Sequence, residues 1–363
     1  MQDGPPSRSR PHVRDNPPVD ALVALGWDEG WERAFNPFRD DGLTPGRVAI
    51  PHRGAWDVLT ADGEVRARAS GRLRHEARST AELPAVGDWV ALTLGDGGSP
   101  TIEAVLPRRT RFSRRTSEDG AATAREQVVA ANVDVVFIVA SLGDEVKVRT
   151  LERYLTLAWE SGARPVILLT KADLVEDAEI VAAEIAEVGR EVPVLTVSSR
   201  SRFGLDSVLH QLGTGVTGAL LGPSGAGKST LVNAIVGDEL LETGRLGGRG
   251  AGRHTTTRRQ LVPLPGGGLL IDNPGMRELH LWLADEGLEE AFPDIAELEA
   301  QCRFADCRHE TEPGCAIRAA LESGELDPER WRSYRALQEE LAELDERLAR
   351  RTRRRGRPGT AAR

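Results

Sequence analysis

One glycine-rich segment, GPSGAGKS at 222–229, constrains this chain more than any other feature of its sequence. It follows an apolar stretch at 216–221 and opens a helical pattern at 228–236, so strand, loop and helix are predicted in that order. Backbone N–H groups of such a loop bind phosphate, the lysine reaches the terminal phosphates, and the next hydroxyl ligates Mg²⁺. A chance glycine-rich turn would lack these flanking elements. The predicted phosphate-binding residues are Gly222, Pro223, Ser224, Gly225, Ala226, Gly227, Lys228, Ser229 and Thr230.

A second strand end indicates which base is bound. The sequence TKAD at 170–173 follows an apolar run and resembles the N-K-x-D guanine-binding motif. The Asp173 carboxylate can accept both the N1–H and the 2-amino group of guanine. Adenine lacks this donor pair and would leave the carboxylate unpaired, which opposes a P-loop ATPase. Thr170 departs from the usual asparagine, although its hydroxyl replaces some of the amide's hydrogen bonds. Lys171 and Ser198 complete the predicted base site.

The segment 269–275 supplies a third motif, an apolar strand that ends in D-x-x-G. Asp272 can hold the Mg²⁺ shell, and the backbone N–H of Gly275 can contact the γ-phosphate. The base motif here precedes the phosphate loop, whereas in ordinary small GTPases it follows. This order predicts a circular permutation, which a fold tolerates when the old termini lie close together.

All three cysteines lie between residues 302 and 315. The spacing Cys302-x4-Cys307-x-His309-x5-Cys315 supplies three thiolates and one imidazole, which is a closed tetrahedral Zn²⁺ set. Soft sulfur ligands disfavour Mg²⁺ and Ca²⁺. The alternative is three buried, reduced cysteines, but the turn at Gly314 and the polar surroundings favour a metal loop. We predict one structural Zn²⁺ per chain, held by Cys302, Cys307, His309 and Cys315.

Hydrophobic patterning predicts a multidomain α/β protein. Short alternating runs at 46–107 predict an antiparallel barrel, with an OB-fold as the first choice. From residue 126, apolar strands alternate with helices, as in a doubly wound parallel sheet. The predicted architecture is therefore an N-terminal OB-fold β-barrel, a central circularly permuted P-loop GTPase domain and a C-terminal α-helical zinc-binding domain. The predicted boundaries are 1–20 for a disordered arm, 21–45 for a helical segment, 46–112 for the barrel, 113–285 for the GTPase domain, 286–346 for the zinc-binding domain and 347–363 for a basic tail.

The net charge of −9 conceals two basic regions. Residues 47–115 hold twelve arginines against eight acidic residues, and residues 347–363 hold eight arginines and no acidic residue. Within the first region, residues 108–115, with five arginines, are predicted to be a basic linker. Such regions can bind a polyanion even in an acidic protein. The predicted basic face of the barrel consists of Arg66, Arg68, Arg72 and Arg74. The alternatives are a merely solvated surface for this face and a solubilising role for the tail.

Nothing in the sequence predicts a membrane protein. No apolar run reaches the ~20 residues of a membrane span, and the proline-rich first twenty residues lack the apolar core of a signal peptide. We therefore expect a cytoplasmic protein.

The order of these motifs resembles a known family. TKAD, GPSGAGKST, GRHTTT at 252–257, DNPG and the Cys–His set are similar to the ribosome small-subunit-dependent GTPase A family, circularly permuted GTPases of bacterial 30S maturation. The resemblance runs from about residue 22 to 340. It implies a GTP hydrolase that uses Mg²⁺ with GTP, binds the 30S subunit and its 16S rRNA, and hydrolyses GTP faster when bound there. A monomer is expected.

The position after D-x-x-G bears on catalysis. Many GTPases place a water-orienting glutamine there, but this chain has Met276, which cannot orient water by hydrogen bonding. The stretch 253–257 resembles the family's switch I. We expect Thr256 to close on Mg²⁺ and the γ-phosphate, and the resemblance implies that His254 positions the attacking water, with Lys228 as the third catalytic residue. The alternatives are a surface role for His254 and, for the whole chain, an RNA-binding scaffold with an inert nucleotide site, which the intact Lys228, Ser229 and Asp272 oppose.

Overall fold

The computed structural model describes most of the chain. The described residues are 19–95, 99–116, 125–144, 146–189, 192–236, 259–272, 288–289, 291–339 and 342. None of the helices in these ranges combines the length and the apolar character needed to cross a membrane.

The N-terminal part is a closed five-stranded barrel preceded by two short helices, Val19–Ala24 (α1) and Glu29–Arg39 (α2). The strand order is β1-β2-β3-β5-β4, and a short helix, α3, follows β3, which confirms the predicted OB-like barrel. The prediction that it is antiparallel is wrong for one pair, because β3 and β5 run parallel where the barrel closes. Alternate residues of each strand point into the barrel, where Val48, Val58, Val90 and Leu92 are fully buried. The elements are Thr44–His52 (β1), Ala55–Thr60 (β2), Gly63–Ala69 (β3), Gly71–Glu76 (α3), Trp89–Thr93 (β4) and Thr101–Val105 (β5).

A two-stranded antiparallel ribbon follows the barrel. Its strands are Arg111–Thr116 (β6) and Arg125–Ala131 (β7). The prediction of a basic linker at 108–115 is therefore wrong. Arg108 is not a linker residue either, because its guanidinium pairs with the fully buried Asp88 of the barrel at 2.7 Å. The high arginine content concealed the strand, and Arg111 and Arg114 contact Glu126 and Gln127 of β7.

The central part is a six-stranded sheet in the order β10-β9-β8-β11-β13-β12. All pairs are parallel except β12 with β13, and the apolar runs form strands buried on both faces, as predicted for a doubly wound sheet. The strands are Val135–Ser141 (β8), Arg164–Thr170 (β9), Val194–Thr196 (β10), Thr217–Leu221 (β11), Gln260–Pro263 (β12) and Leu269–Asp272 (β13). The helices are Val148–Glu160 (α4), Ala178–Gly189 (α5), Leu205–Gln211 (α6) and Lys228–Val236 (α7).

The C-terminal part is a small helical module around the cysteines. Its described helices are Pro293–Ala300 (α8), Ala316–Ser323 (α9) and residues 328–339, named here the C-terminal helix. Phe292, Ile317 and Tyr334 are buried in the same apolar cluster as Leu151 and Leu155 of α4. The module therefore packs on helix α4 of the central sheet.

Arg47 joins the barrel to the central sheet. This side chain is only 2% exposed, and it donates hydrogen bonds to the carbonyls of Leu25, Gly87 and Asn132 and to the Thr217 hydroxyl at the start of β11. Burial lowers the pKa of Arg47 to about 10, so the guanidinium stays charged at neutral pH. Gly87 permits this close junction, because a Cβ there would lie 2.1 Å from the Ala131 carbonyl oxygen.

Candidate functional site

The phosphate loop lies between β11 and α7, where the sequence predicted it. Gly222 takes a positive φ of +146°, and a Cβ there would lie 2.3 Å from the Val139 carbonyl oxygen, so only glycine fits beside β8. The Lys228 ammonium donates to the carbonyls of Gly222 (2.6 Å) and Pro223 (2.5 Å) and is held against the loop. Ser229 and Thr230, at the start of α7, are exposed. The loop thus presents the cation, hydroxyls and helix N-terminus that phosphate binding requires.

Thr170 connects the base motif to the phosphate loop. It ends β9, is 2% exposed, and its Oγ1 lies 2.6 Å from the Ala226 carbonyl oxygen and 3.2 Å from that of Ala140. A hydroxyl has one hydrogen, so the shorter bond to Ala226 is the stronger one. The departure from asparagine therefore keeps a direct bond between the two loops, as the sequence suggested.

A hydrogen bond from Ser198 fixes the position of the Asp173 carboxylate, which is exposed and can accept further hydrogen bonds. The buried Ser198 donates its hydroxyl to Asp173 Oδ1 at 2.6 Å and accepts from the Ser201 backbone N–H at 3.2 Å. The Ser198 hydrogen bond lowers the pKa of Asp173, so this exposed carboxylate is ionised at neutral pH. Lys171, in the left-handed region at φ +59°, lies 3.7 Å from Asp144.

The sheet brings these motifs to one edge. The carboxyl ends of β9, β11 and β13 carry the base motif, the phosphate loop and Asp272, and β13 lies directly beside β11. Because parallel strands end at the same edge, the three motifs lie together at one edge of the sheet, although their order along the chain differs from that of ordinary small GTPases. The predicted site residues His254, Thr256 and Gly275, together with Met276, lie outside the described residues.

The four predicted metal ligands converge in the C-terminal module. Their ligand atoms all lie within 4.8 Å of one another, and His309 Nδ1 is 3.6 Å from the Cys302 sulfur and 3.4 Å from the Cys315 sulfur. Zinc–ligand distances of about 2.0–2.3 Å would place tetrahedral ligands about 3.3–3.8 Å apart. The cluster could therefore hold a metal ion of this kind.

Neighbouring residues orient this cluster, and the sequence did not reveal them. Glu299 lies 3.3 Å from His309 Nε2 and accepts a hydrogen bond from the Tyr334 hydroxyl at 2.9 Å, so His309 Nδ1 faces the sulfurs. A carboxylate on the far nitrogen of a ligating histidine is common in metal sites. No spacing rule could have identified Glu299 or Tyr334, because Glu299 meets His309, and Tyr334 meets Glu299, through helix packing.

The thiol chemistry also favours a cation. Desolvation, followed by contact with the Cys315 and Cys302 sulfurs, raises the pKa of Cys307 to about 11. Three thiolates so close together repel one another, and a divalent ion would compensate that charge.

Comparison with known proteins identifies the family. A family model described as RsgA GTPase matches residues 105–282. The small ribosomal subunit biogenesis GTPase RsgA of Opitutus terrae is 49% identical over 332 residues, which cover 88% of this chain and 90% of that protein. The chain belongs to the RsgA GTPase family. The RsgA of Streptomyces coelicolor is 46% identical, covering 88% of this chain and 86% of that protein.

Solved structures support the same assignment. YjeQ from Thermotoga maritima superposes with a TM-score of 0.63 at 27% identity, covering 83% of this chain and 99% of that one. YloQ, a circularly permuted GTPase, gives 0.62 at 25% identity, covering 83% and 96%. As a member of the RsgA GTPase family the chain is a circularly permuted GTP hydrolase, for which Mg²⁺ is the usual partner of the nucleotide. The ATPase and inert-scaffold alternatives are therefore wrong.

Proposed function

We propose that this GTPase binds the small (30S) ribosomal subunit, assists its late maturation and hydrolyses GTP faster when bound there. The observation that carries the proposal is the shared name of its relatives, small ribosomal subunit biogenesis GTPase, at 40–49% identity over 88–92% of this chain for three of them. Such identity over nearly the full length of both chains includes the barrel, the GTPase sheet and the C-terminal helical module that carries the Cys–His cluster, called the metal module below.

GTP is bound by residues from three strand ends. Asp173 accepts from the guanine N1–H and 2-amino groups, Ser198 positions that carboxylate, and Thr170 and Lys171 complete the base site. Residues 222–230 surround the phosphates, and Gly275 contacts the γ-phosphate. Mg²⁺, when bound, neutralises phosphate charge. Its protein ligands are Ser229 and Thr256, with Asp272 in the surrounding shell.

Hydrolysis requires a water-orienting group other than the residue after D-x-x-G. Met276 offers no suitable hydrogen bond, so we assign this role to His254. Thr256 brings switch I onto the γ-phosphate, and Lys228 stabilises charge on the phosphate oxygens. If binding to the ribosome fixes the arrangement of residues 253–257 around the γ-phosphate, GTP hydrolysis is slow in the free protein and faster on the ribosome.

Zinc is the metal we assign to the C-terminal cluster. Three thiolates and one imidazole form a closed set that excludes hard cations and leaves no position for catalysis. One structural Zn²⁺ per chain would hold α8, α9 and the C-terminal helix together, because this module has a small core of its own.

Replacing Cys307 by Ala is expected to lower zinc from about one ion per chain to near zero, since the remaining set has three ligands. Binding to 30S subunits should weaken, while GTP binding by the free protein stays nearly intact. Metal analysis of freshly purified protein and a subunit pelleting assay measure both effects. Asp306→Ala, at an exposed neighbour in the same loop, is the matched control. Wild-type protein without zinc would contradict the assignment.

16S rRNA is the partner we assign to the basic surfaces. Arg66, Arg68, Arg72 and Arg74 are exposed on β3 and α3, although Arg66 is also paired with Asp57 at 2.7 Å. The tail adds arginines that can bind phosphate bidentately. We assign the protein to the cytoplasm, where ribosomal subunits mature, and expect it to act as a monomer.

Truncation after Glu346 is expected to weaken 30S binding and flatten its dependence on salt. The deleted run holds seven arginines between 347 and 357, and each phosphate contact contributes about 0.7–0.9 to the log–log slope. Titrations at several salt concentrations measure the slope. A variant with lysines in place of these arginines keeps the charge and should retain most of the salt-dependent slope. An unchanged slope after truncation would favour a solubilising tail.

The proposed function itself is tested by hydrolysis under single-turnover conditions. We expect 30S subunits to accelerate GTP hydrolysis, and 50S subunits at the same concentration to serve as the control. Equal acceleration of hydrolysis by both subunits, or acceleration by neither, would contradict the proposal.

A further inference from the structure

A buried carboxylate on α4 faces the metal module. Glu152 is 2% exposed, and its Oε1 lies 3.2 Å from the Arg330 guanidinium of the C-terminal helix. Burial raises the pKa of Glu152, while the Ser333 hydroxyl and Arg330 oppose that rise. Arg330 belongs to the C-terminal helix, so the module supplies the ion-pair partner of this buried carboxylate.

Arg330, in contrast, has partners within the module itself. It forms two hydrogen bonds with Asp294 of α8, at 2.7 and 2.8 Å, donates to the Ala291 carbonyl at 3.2 Å, and lies 4.7 Å from the Phe292 ring centre. If the module separated from α4, Arg330 would keep these contacts and Glu152 would regain water. Removing one partner of a buried ion pair is costly because the other charge stays buried and unpaired. Separating the two groups costs much less, because water hydrates the charge that is exposed. The ion pair can therefore break while Arg330 keeps its contacts within the module.

The helix that carries Glu152 also borders the phosphate loop. Thr150, Leu151 and Tyr154 of α4 and Pro223, Ser224 and Ala226 of the loop line the same cavity of about 460 Å³. Leu151 is the direct neighbour of Glu152 in the chain. A shift of α4 would therefore change the space beside the phosphate loop.

We propose that Glu152 is a positioning residue of the nucleotide site: through it, docking of the metal module by Arg330 holds α4 in place beside the phosphate loop. Undocking releases α4 and speeds nucleotide dissociation. A partner that draws the module away would thereby favour release of the product GDP. The inference rests on the proposed binding of GTP by residues 222–230, but not on the ribosome as the partner.

The test is the rate of GDP dissociation from the free protein, measured with a fluorescent GDP and no ribosome present. Glu152→Arg places two cations together, so the module should undock and dissociation should accelerate by about fivefold or more, the lower end of typical coupling between sites. Glu152→Gln keeps the shape and an acceptor for Arg330, and should stay within about twofold of wild type. Glu322→Arg makes the same charge change in the exposed Arg318–Glu322 pair of the module and should have no effect.

Hydrogen exchange of residues 148–160 and 328–339 reports undocking in the same samples. If Glu152→Arg fails to fold, Ser333→Asp brings a like charge to Glu152 from the module side and should give the same acceleration. Faster exchange with an unchanged dissociation rate would overturn the proposal, as would equal acceleration by Glu322→Arg. Because no ribosome is present, either result would leave the proposed ribosomal function standing, and loss of 30S stimulation would not affect this test.

Discussion

Replacing Asp173 by Asn is expected to exchange the base preference from guanine to xanthine. The carboxylate accepts from two donors of guanine, whereas an amide would present an N–H to the 2-amino group and lose the charge-assisted bond. Such a bond to a charged group contributes about 1.5–3 kcal/mol, so guanine affinity should fall by about ten- to a hundredfold. Xanthine has a carbonyl in place of the 2-amino group and can accept from that N–H.

Competition of unlabelled XDP and GDP against labelled GDP measures this exchange in the free protein. Asp144→Asn is the matched control, because Asp144 is an exposed acid beside Lys171 that has no assigned contact with the base. It should leave the preference for guanine unchanged. Displacement of labelled GDP from the wild-type protein by ATP at equal concentration would contradict the assignment of Asp173.

The fold was predictable where hydrophobic patterning is strong. Fully apolar runs such as the one in β8 occur in strands buried on both faces, and the barrel's short alternating strands show the period of two. The ribbon of β6 and β7 could not be predicted, because Arg111, Arg114 and Arg115 break the alternation of apolar and polar residues and its two strands are separated along the chain. Pairing with the next strand of the chain, β7, overrode the local pattern there.

The candidate site divides in the same way. Residues 170–173, 222–229 and the Cys–His set follow short-range spacing rules, because the chemistry of phosphate, guanine or metal fixes neighbours along the chain. Glu299, Tyr334 and Arg330 could not be predicted, since they reach their partners only through the packing of helices. The Arg330–Glu152 contact joins residues 178 positions apart, a separation over which local spacing carries no information.

The permuted order places the γ-phosphate motif late in the chain. Asp272 ends β13, and the first described residue of the metal module is residue 288, so a short stretch of sequence connects the two. The module also contacts α4 through Glu152. The metal module is therefore joined to the nucleotide site by the chain itself and by packing.

Replacing His254 by Ala is expected to remove most of the ribosome-stimulated hydrolysis. GTP binding depends on the phosphate loop and Asp173, so nucleotide affinity and 30S binding should stay normal. The stimulated rate should fall by ~10²-fold or more, the usual contribution of a positioned proton-handling group. The slow intrinsic rate should change less, because the proposed role of His254 depends on an arrangement that the ribosome completes.

Single-turnover GTP hydrolysis with excess 30S subunits separates these possibilities. His210→Ala removes an exposed imidazole on α6 and should hydrolyse GTP like the wild type. A variant that binds but does not hydrolyse should also remain on the 30S subunit longer, since GTP persists. If the stimulated rates of His254→Ala and the wild type are equal, His254 has no part in the chemistry. The catalytic group would then have to come from the ribosome, because the side chain of Met276 cannot orient water.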